Sequence, residues 1–283
     1  MNNLVISTTI EDLLVARNPR GMQALQKALV PGYYLRGAQM LQSAIGTVLI
    51  GTGFPVAGTY ETDGPVGAIA LYQALETLGA KPILVCGAPL ADAIAADYRV
   101  HKISVGKPAV SKVEAQKALQ QYQPSLVISI ERPGMAADGN YYNMRGEDIS
   151  HACASFDYFL SLADCPTIAI GDGGNEIGMG NVASAVEQLS ISPSIIPSAI
   201  CCDELLIADV SNWAAHGLIT MLSVLRGQDM LVHWDNLAIL QYLSDRGSVD
   251  GVTRENQLTE DGLSADISEE LIQNLRKLGG FYS

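Results

Sequence analysis

Residues 167–181 read Thr-Ile-Ala-Ile-Gly-Asp-Gly-Gly-Asn-Glu-Ile-Gly-Met-Gly-Asn, a short apolar run followed by a loop with five glycines and two carboxylates. The apolar run predicts a buried strand. Glycine weakens strands and helices, so a series of glycines is tolerated mainly where the backbone adopts a positive φ or lies close to a ligand. The pattern therefore predicts a strand that ends at a functional loop, with Asp172 and Glu176 as its reactive groups.

Apolar runs of strand length alternate with helical segments along most of the chain. Strands are predicted at residues 47–51, 81–86, 101–105, 126–130, 167–170 and 205–210, and helices at 65–78, 91–97, 111–122, near Phe156, and at 182–189, 214–225 and 268–278. This alternation predicts a layered α/β fold with a mostly parallel sheet flanked by helices. Ligands bind at the carboxyl ends of the strands in such folds. The unusual loops at 51–64, 131–146, 171–181 and 211–217 each follow a predicted strand, so we expect them to form one cleft.

We expect residues 1–283 to form a single α/β domain with three parts. Residues 1–45 are predicted to be a helical N-terminal cover and residues 46–230 the core. Residues 231–283 form a more acidic C-terminal extension, for which we expect packing or oligomer contacts. The chain has 48% apolar and 17% charged residues, which is enough apolar material for a sizeable buried core. The same composition favours a homo-oligomer.

The formal net charge of -13 argues against nucleic acid or an anionic membrane as a partner, because both require basic patches. Small cationic ligands and divalent metals fit this charge better. We see neither a secretory signal nor an apolar run of the roughly 18 residues that a membrane helix needs. The five cysteines form no CxxC pair and indicate reduced thiols in the cytoplasm.

Acidic residues occur in three of the loops that follow strands. We assign Glu61, Asp63, Asp172 and Glu176 as ligands of a divalent cation, because carboxylate oxygens suit Mg²⁺ or Mn²⁺. A substrate ammonium between the carboxylates is the alternative occupant. Glu131, Asp172 and Glu176 are the candidate catalytic acids and bases. The alternatives are that Asp63 or Thr62 caps a helix, and that Asp172 forms an Asx-turn beside a solvated Glu176.

Two arginines, Arg132 and Arg145, are the only Lys or Arg residues between Lys117 and Arg226. A guanidinium matches a carboxylate in bidentate fashion, so we assign both arginines to substrate binding and expect at least one of them to hold a substrate carboxylate. The alternative for either one is an ion pair with a neighbouring acidic side chain, Glu131, Glu147 or Asp148. The absence of lysine from this span argues against imine chemistry with pyridoxal.

No nucleotide cofactor is expected either. The segment Gly53-Phe-Pro-Val-Ala-Gly-Thr59 has the glycine spacing of a phosphate-binding loop but lacks its lysine, and Pro55 removes one backbone donor. The loop at 171–181 places acidic groups where a pyrophosphate would lie.

Six motifs make the chain resemble one known family between about Ile10 and Leu225. They are Thr52-Gly-Phe-Pro55, Glu61-Thr-Asp-Gly-Pro65 with Gly67-Ala68, Ile130-Glu-Arg-Pro-Gly134, Tyr142-Asn-Met-Arg-Gly146, Gly171-Asp-Gly-Gly-Asn-Glu-Ile-Gly-Met-Gly180 and Ser211-Asn-Trp213. The chain resembles the D-glutamate cyclase family, formerly a domain of unknown function, and in particular the C-terminal region of its animal members. The resemblance implies a lyase that converts D-glutamate to 5-oxo-D-proline and water.

Residues of these motifs complete the expected site. We assign substrate binding to Thr52, Gly53, Asn143, Asn175 and Asn212 in addition to the two arginines, although for Asn212 the favoured alternative is capping of the helix that follows. A cation on the acidic loops would withdraw charge from the γ-carboxylate of an amino-acid substrate. Two rival functions use the same residues: a metal-dependent hydrolase or phosphatase, and a non-catalytic amino-acid-binding protein.

Overall fold

One parallel sheet forms the centre of the computed structural model, which describes residues 2–106, 108–190 and 195–281. In chain order the described strands are β1 (Thr47–Gly51), β2 (Pro55–Val56), β3 (Thr59–Tyr60), β4 (Lys81–Cys86), β5 (Val100–Lys102), β6 (Leu126–Ile130), β7 (Thr167–Gly171), β8 (Glu204–Ile207), β9 (Thr259–Glu260) and β10 (Leu263–Ser264). The described α-helices are α1 (Asn3–Leu14), α2 (Met22–Gln26), α3 (Tyr33–Ser43), α4 (Pro65–Thr77), α5 (Leu90–Ile94), α6 (Pro108–Tyr122), α7 (Asp157–Ser161), α8 (Ala183–Val186), α9 (Ser211–Arg226), α10 (Asn236–Ser244) and α11 (Ala265–Leu278).

The sheet has the strand order β5-β4-β1-β6-β7-β8, and every pair in it is parallel. This is the order of a doubly wound sheet, in which the direction of winding reverses between β1 and β6. The reversal leaves a crevice outside the carboxyl ends of these two strands. The loops that begin at Thr52 and Glu131 therefore lie on either side of the position where such folds bind ligands.

Burial explains why the central strands are apolar along their whole length. All five residues of β6 and all five of β7 are buried, as expected for parallel strands covered on both faces. On one side α9 packs against α1, α3, α4 and α11, and α6 and α7 pack against each other elsewhere on the sheet. The predicted layered α/β fold with strand-end loops around one cleft is confirmed.

The crossing of α4 and α9 is unusually close. A Cβ at Gly67 of α4 would lie 2.8 Å from the Cβ of Ala215 and 3.1 Å from the Cα of Asn212, both in α9. Real Cβ contacts are longer than this, so the two helices approach to this distance because residue 67 is glycine. The close approach brings the N-termini of both helices together beside the crevice.

Several predicted elements differ in extent from the structure. The strand predicted at 101–105 ends at Lys102, and the helix predicted at 91–97 ends at Ile94. The last strand of the sheet ends at Ile207, and α9 begins at Ser211, so Asn212 lies in the first turn of a helix. The predicted helix at 182–189 is a 3₁₀ turn, Met179–Val182, followed by the single turn of α8.

Among the described helices, none combines the length and the apolar character that crossing a lipid bilayer requires.

Candidate functional site

A cavity of about 440 Å³ opens at the carboxyl ends of the strands. Its walls come from the loops after β1, β4, β6 and β7, together with Arg20 and part of the C-terminal segment. Those loops contribute, among others, the residues Phe54, Glu61, Pro89, Glu131, Asn143, Arg145, Asp172, Asn175 and Glu176. The topology thus brings together side chains that are far apart in the sequence.

Buried carboxylates form the floor of this cavity. Glu131, Asp172 and Glu176 are 5%, 2% and 1% exposed, and one oxygen of each lies within 4.8 Å of the others. Asp172 belongs to a second group as well, in which one oxygen each of Asp63, Asp172 and Asp261 lies within the same distance. We call Glu131, Asp172 and Glu176 the inner trio, and Asp63, Asp172 and Asp261 the outer trio.

The environment of the floor favours protonated carboxyl groups. Burial, reinforced by neighbouring carboxylates, raises the pKa of Glu131 well above its usual range. Burial has the same effect on the pKa of Asp172, against the opposing influence of Arg20, and it also raises the pKa of Glu176. Desolvation and like charge both disfavour an ionised carboxylate. The inner trio therefore retains protons at a pH where isolated carboxyl groups would have lost them, which is a property of catalytic acids.

Glu131 is held at the end of β6 in a strained conformation. Its φ of 44° lies in the left-handed region, which costs a non-glycine residue on the order of 1 kcal/mol or more. The Glu131 amide donates to the carbonyl of Ile170 (3.1 Å), and the Ser211 hydroxyl donates to Oε2 of Glu131 (2.6 Å). These bonds hold the side chain in the cavity floor despite the strain.

Asp63 and Asn212 cap each other's helices. Oδ2 of Asp63 accepts from the Ser211 amide (2.9 Å) and its Oδ1 from the Asn212 amide (2.7 Å), at the start of α9. Oδ1 of Asn212 accepts from the amides of Gly64 and Gly67 (both 2.8 Å), at the start of α4. Capping oxygens satisfy amides that have no partner within their own helix. Asn212 is fully buried beneath the site and does not border the described cavity.

Burial also raises the pKa of Asp63 to about 7, with the nearby charge of Asp261 adding to the effect. Glu61, two residues earlier, is 6% exposed and borders the cavity. Burial raises the pKa of Glu61 well above its usual range, and Asp261 and Asp63 contribute. Glu61 belongs to neither trio. It lies beside the clustered carboxylates in the cavity wall, outside both groups.

Arg20 is a site residue for which the sequence contained no local motif. Its Nη2 donates to Oδ2 of Asp172 (2.5 Å) and to the Asp209 carbonyl (2.9 Å), and it also donates to Oδ2 of Asp261. The Asp209 carboxylate in turn accepts from the amides of Arg17 (2.7 Å) and Asn18 (3.0 Å). The loop after α1 is thereby fixed at the carboxyl end of β8.

The two predicted arginines occupy different places. Arg132 is 2% exposed, and its Nη1 donates to the carbonyls of Thr52 (2.6 Å) and Gly53 (3.2 Å). These three residues border a smaller pocket of about 20 Å³ that shares wall residues such as Pro89 with the main cavity. Arg145 is exposed and lines the main cavity itself.

The predicted asparagines also lie at different depths. Asn143 lies on the exposed side of the cavity, where its Nδ2 donates to Glu147 (2.6 Å). Asn175 is 1% exposed and its Nδ2 donates to the carbonyl of Tyr142 (2.8 Å). Its Oδ1 is buried and has no hydrogen-bond partner among the described residues. An unpaired buried acceptor is costly, and here it belongs to a residue of the cavity wall.

The C-terminal segment, expected from the sequence to make packing or oligomer contacts, also contributes to the cavity through residues such as Arg254 and Asp261. The neighbouring Glu260 is fully buried and accepts from Nδ2 of Asn212 (2.7 Å) and Nδ2 of Asn236 (2.9 Å). Sequence reasoning missed Asp261. The available signal was the acidic pair before Gly262, which resembles the acidic stretch that precedes Gly64.

Comparison with known proteins gives a family match and a curated relative. The sequence profile described as "D-glutamate cyclase-like, C-terminal" matches residues 10–276. The human protein named "D-glutamate cyclase, mitochondrial" is 32% identical over 222 residues, which are 69% of this chain and 36% of the human protein. The chain thus spans about a third of the length of that relative.

Among solved structures, an exopolyphosphatase-related protein from Bacteroides fragilis aligns with 88% of this chain and 57% of its own, at 9% identity and a TM-score of 0.42. That likeness is too distant to support an argument about fold or function.

Proposed function

Because this chain belongs to the family of D-glutamate cyclase-like C-terminal domains, we propose that it is a hydro-lyase that cyclises D-glutamate to 5-oxo-D-proline and water. The observation on which the proposal rests is the distribution of charge in the cavity. Protonatable carboxyl groups line its buried floor, and Arg145 and Arg254 line its exposed side. A free amino acid has the matching groups, an ammonium and a carboxylate.

The reaction requires proton relay and no net acid or base. The α-nitrogen forms a bond to the carbon of the γ-carboxyl group, and one carbon–oxygen bond of the same group breaks. The ammonium has three protons and the lactam nitrogen keeps one, so the two protons that are lost leave with the departing oxygen as water. A cluster of carboxyl groups that share protons is suited to this transfer.

We assign the relay to the inner trio. Its carboxyl groups lie within 4.8 Å of one another, and such closely spaced groups do not all ionise together. An ionised member accepts a proton from the substrate ammonium, and a protonated member donates one to the γ-carboxyl oxygen. Glu131 is our candidate for the donor, because burial and three neighbouring carboxylates raise its pKa.

The α-carboxylate does not react and needs an anchor. We propose Arg145 for this role, with Arg254 beside it, because both line the same cavity as the carboxylate floor. Anchoring one end of the substrate while the ammonium faces the floor bends the chain toward the ring and supplies the proximity that cyclisation requires. For Arg132, Thr52 and Gly53 we propose a supporting role at the adjoining small pocket.

A divalent cation fits the floor by donor chemistry. Mg²⁺ and Mn²⁺ prefer carboxylate oxygens, and both trios offer one oxygen per residue within 4.8 Å. Asp172, as the member common to both, would be a ligand in either position. A cation bound there would act as a Lewis acid that polarises the γ-carboxyl group. The negative net charge of the chain, -13, agrees with a cationic cofactor.

The proposal is tested by incubating the purified chain with D-glutamate and, separately, L-glutamate, with and without Mn²⁺. Chiral chromatography with mass spectrometry measures 5-oxoproline, and parallel assays for phosphate and ammonia test the hydrolase alternatives. We expect 5-oxo-D-proline to form from D-glutamate and its rate to fall at least 100-fold in Glu131→Gln, the typical contribution of general acid catalysis being about 10²–10⁴-fold.

The matched control is Glu187→Gln, which makes the same change at an exposed position after α8 and should leave the rate unchanged. Product formation that is equal in Glu131→Gln and Glu187→Gln would refute the assignment of Glu131. Absence of 5-oxoproline with either enantiomer would refute the proposed reaction, and saturable glutamate binding under those conditions would identify an amino-acid-binding protein instead.

A further inference from the structure

The two trios differ in how their oxygens are already used. In the outer trio, both oxygens of Asp63 accept backbone amides of α9. Oδ2 of Asp172 and Oδ2 of Asp261 both accept from Nη2 of Arg20. The outer trio therefore contains a positive charge from the chain itself, held between two of its three carboxylates.

Arg20 is well placed to remain in that position. Its side chain is 19% exposed, and the same Nη2 donates to the Asp209 carbonyl (2.9 Å). Among the described residues, Arg20 is the basic side chain that forms ion pairs with members of the two trios. A buried guanidinium beside carboxylates gains from both charge and hydrogen bonding.

In the inner trio Asp172 shares Arg20 with the outer trio, whereas the hydrogen bonds to Glu131 and Glu176 come from neutral groups. The Ser211 hydroxyl donates to Oε2 of Glu131 (2.6 Å), and the Gly174 amide donates to Oε2 of Glu176 (2.7 Å). Each of these carboxylates has a second oxygen to offer a ligand. Uncompensated carboxylates crowded in a buried site attract a cation.

Asn175 independently indicates a ligand at the inner trio. Its Oδ1 is buried without a partner among the described residues. A Cβ built on Gly173 would lie 2.6 Å from Oε1 of Glu176 and 3.0 Å from Oδ1 of Asn175, so both oxygens lie on the same side of Gly173. An amide oxygen beside carboxylate oxygens is a further donor of the kind that hard cations bind.

We propose that Arg20 is the resident cation of the outer trio, and that the site accordingly takes one external divalent cation, bound by the inner trio with Oδ1 of Asn175. The inference rests on the proposed function for its choice of a divalent cation. It adds a count and a location: one ion per chain, at Glu131, Asp172 and Glu176, with Arg20 excluding a second ion from the neighbouring position. With the ion bound, Glu131 would be an ionised ligand, and the cation would replace it in polarising the γ-carboxyl group.

The test measures Mn²⁺ stoichiometry by isothermal titration calorimetry and by electron paramagnetic resonance of free Mn²⁺. We expect one Mn²⁺ per wild-type chain and two per chain in Arg20→Met. Arg226→Met, which removes an exposed arginine at the end of α9, is the matched control and should bind one. Gly173→Ala should weaken Mn²⁺ binding at least tenfold, because its new methyl group would displace Glu176 and Asn175.

Loss of Arg20 leaves carboxylates facing each other, so Arg20→Met is paired with Arg20→Met/Asp261→Asn, which removes one negative charge together with the guanidinium. We expect the double variant to bind one Mn²⁺. Two Mn²⁺ per wild-type chain, or one in Arg20→Met with unchanged affinity, would overturn the inference. A wild-type chain that forms 5-oxoproline and binds no Mn²⁺ would overturn the inference and leave the reaction standing. One Mn²⁺ per chain without 5-oxoproline would refute the reaction alone.

Discussion

Replacing Asn212 with alanine should destabilise the protein severely, although Asn212 does not border the cavity. The side chain is fully buried and makes four hydrogen bonds. Its Oδ1 accepts from the amides of Gly64 and Gly67, and its Nδ2 donates to the Thr62 carbonyl (3.1 Å) and to Glu260 (2.7 Å). These bonds connect the first turns of α4 and α9 to the C-terminal segment.

The expected magnitude follows from the partners that the substitution leaves behind. The Gly64 amide retains a bond to Oδ1 of Asp63 (2.9 Å). The Gly67 amide, the Thr62 carbonyl and Oε1 of Glu260 lose the bonds described above. A buried polar group without a partner costs about 1 to 3 kcal/mol, so three such groups predict a loss of about 3 to 9 kcal/mol. This is a large part of the roughly 5 to 15 kcal/mol by which a domain is stable.

The measurement is urea unfolding followed by tryptophan fluorescence, with the free energy of unfolding compared between wild type and variant. Asn181→Ala is the control. Asn181 also bonds a backbone carbonyl and amide, both of Cys202, but it is exposed, so water replaces those bonds and the loss should stay below about 1 kcal/mol. A loss in Asn212→Ala of about 1 kcal/mol or less, or one equal to that in Asn181→Ala, would refute the reasoning.

Three further predictions concern the site and its surroundings. Asp172→Asn should abolish turnover and Mn²⁺ binding while the protein stays folded by circular dichroism, because Asp172 is the carboxylate common to both trios; unchanged turnover and affinity would contradict this role. Arg145→Met should raise KM for D-glutamate about 10- to 100-fold with little change in kcat, the equivalent of about 1.5 to 3 kcal/mol for a charge-assisted hydrogen bond, whereas Arg226→Met should leave KM unchanged. Burial lowers the pKa of His216 from 6.5 to about 3, so the unfolded chain binds a proton below pH 6.5 that the folded chain does not. The contribution of His216 to stability is therefore present above pH 6.5 and should fall by about 1.4 kcal/mol per pH unit as the pH decreases toward 3. The free energy of unfolding of His216→Leu relative to wild type, measured at pH 4 to 7, should change with pH by that amount; a difference independent of pH would contradict the prediction.

The sequence predicted those features of the site that arise from neighbouring residues. Apolar runs followed by glycine and carboxylates marked the ends of β1, β6 and β7, because a buried strand and the loop after it are encoded within about ten residues. The acidic loops bearing Glu61, Glu131 and Asp172 were located in this way. Their convergence followed from the general rule that the carboxyl ends of parallel strands share one edge of the sheet.

Contacts between residues that are far apart in the chain could not be predicted from the sequence. Arg20 is separated from Asp172 by 152 positions and from Asp261 by 241, and an ion pair over such a distance leaves no periodicity or motif. Asn212 was considered as a substrate ligand or as the cap of its own helix. Its oxygen instead caps α4, a role that exists only because α4 and α9 cross closely at Gly67.

The fold class, the positions of the acidic loops and the family were all predictable from the sequence, because each depends on local order along the chain. Tertiary structure alone decided which carboxylates cluster, which arginine lies between Asp172 and Asp261, and which arginine lines the cavity. The physical reason is that charge, burial and hydrogen bonding act through space: the pKa of Glu131 is raised by desolvation and by neighbours such as Glu176, and neither effect exists until the strands pair and the C-terminal segment closes over them.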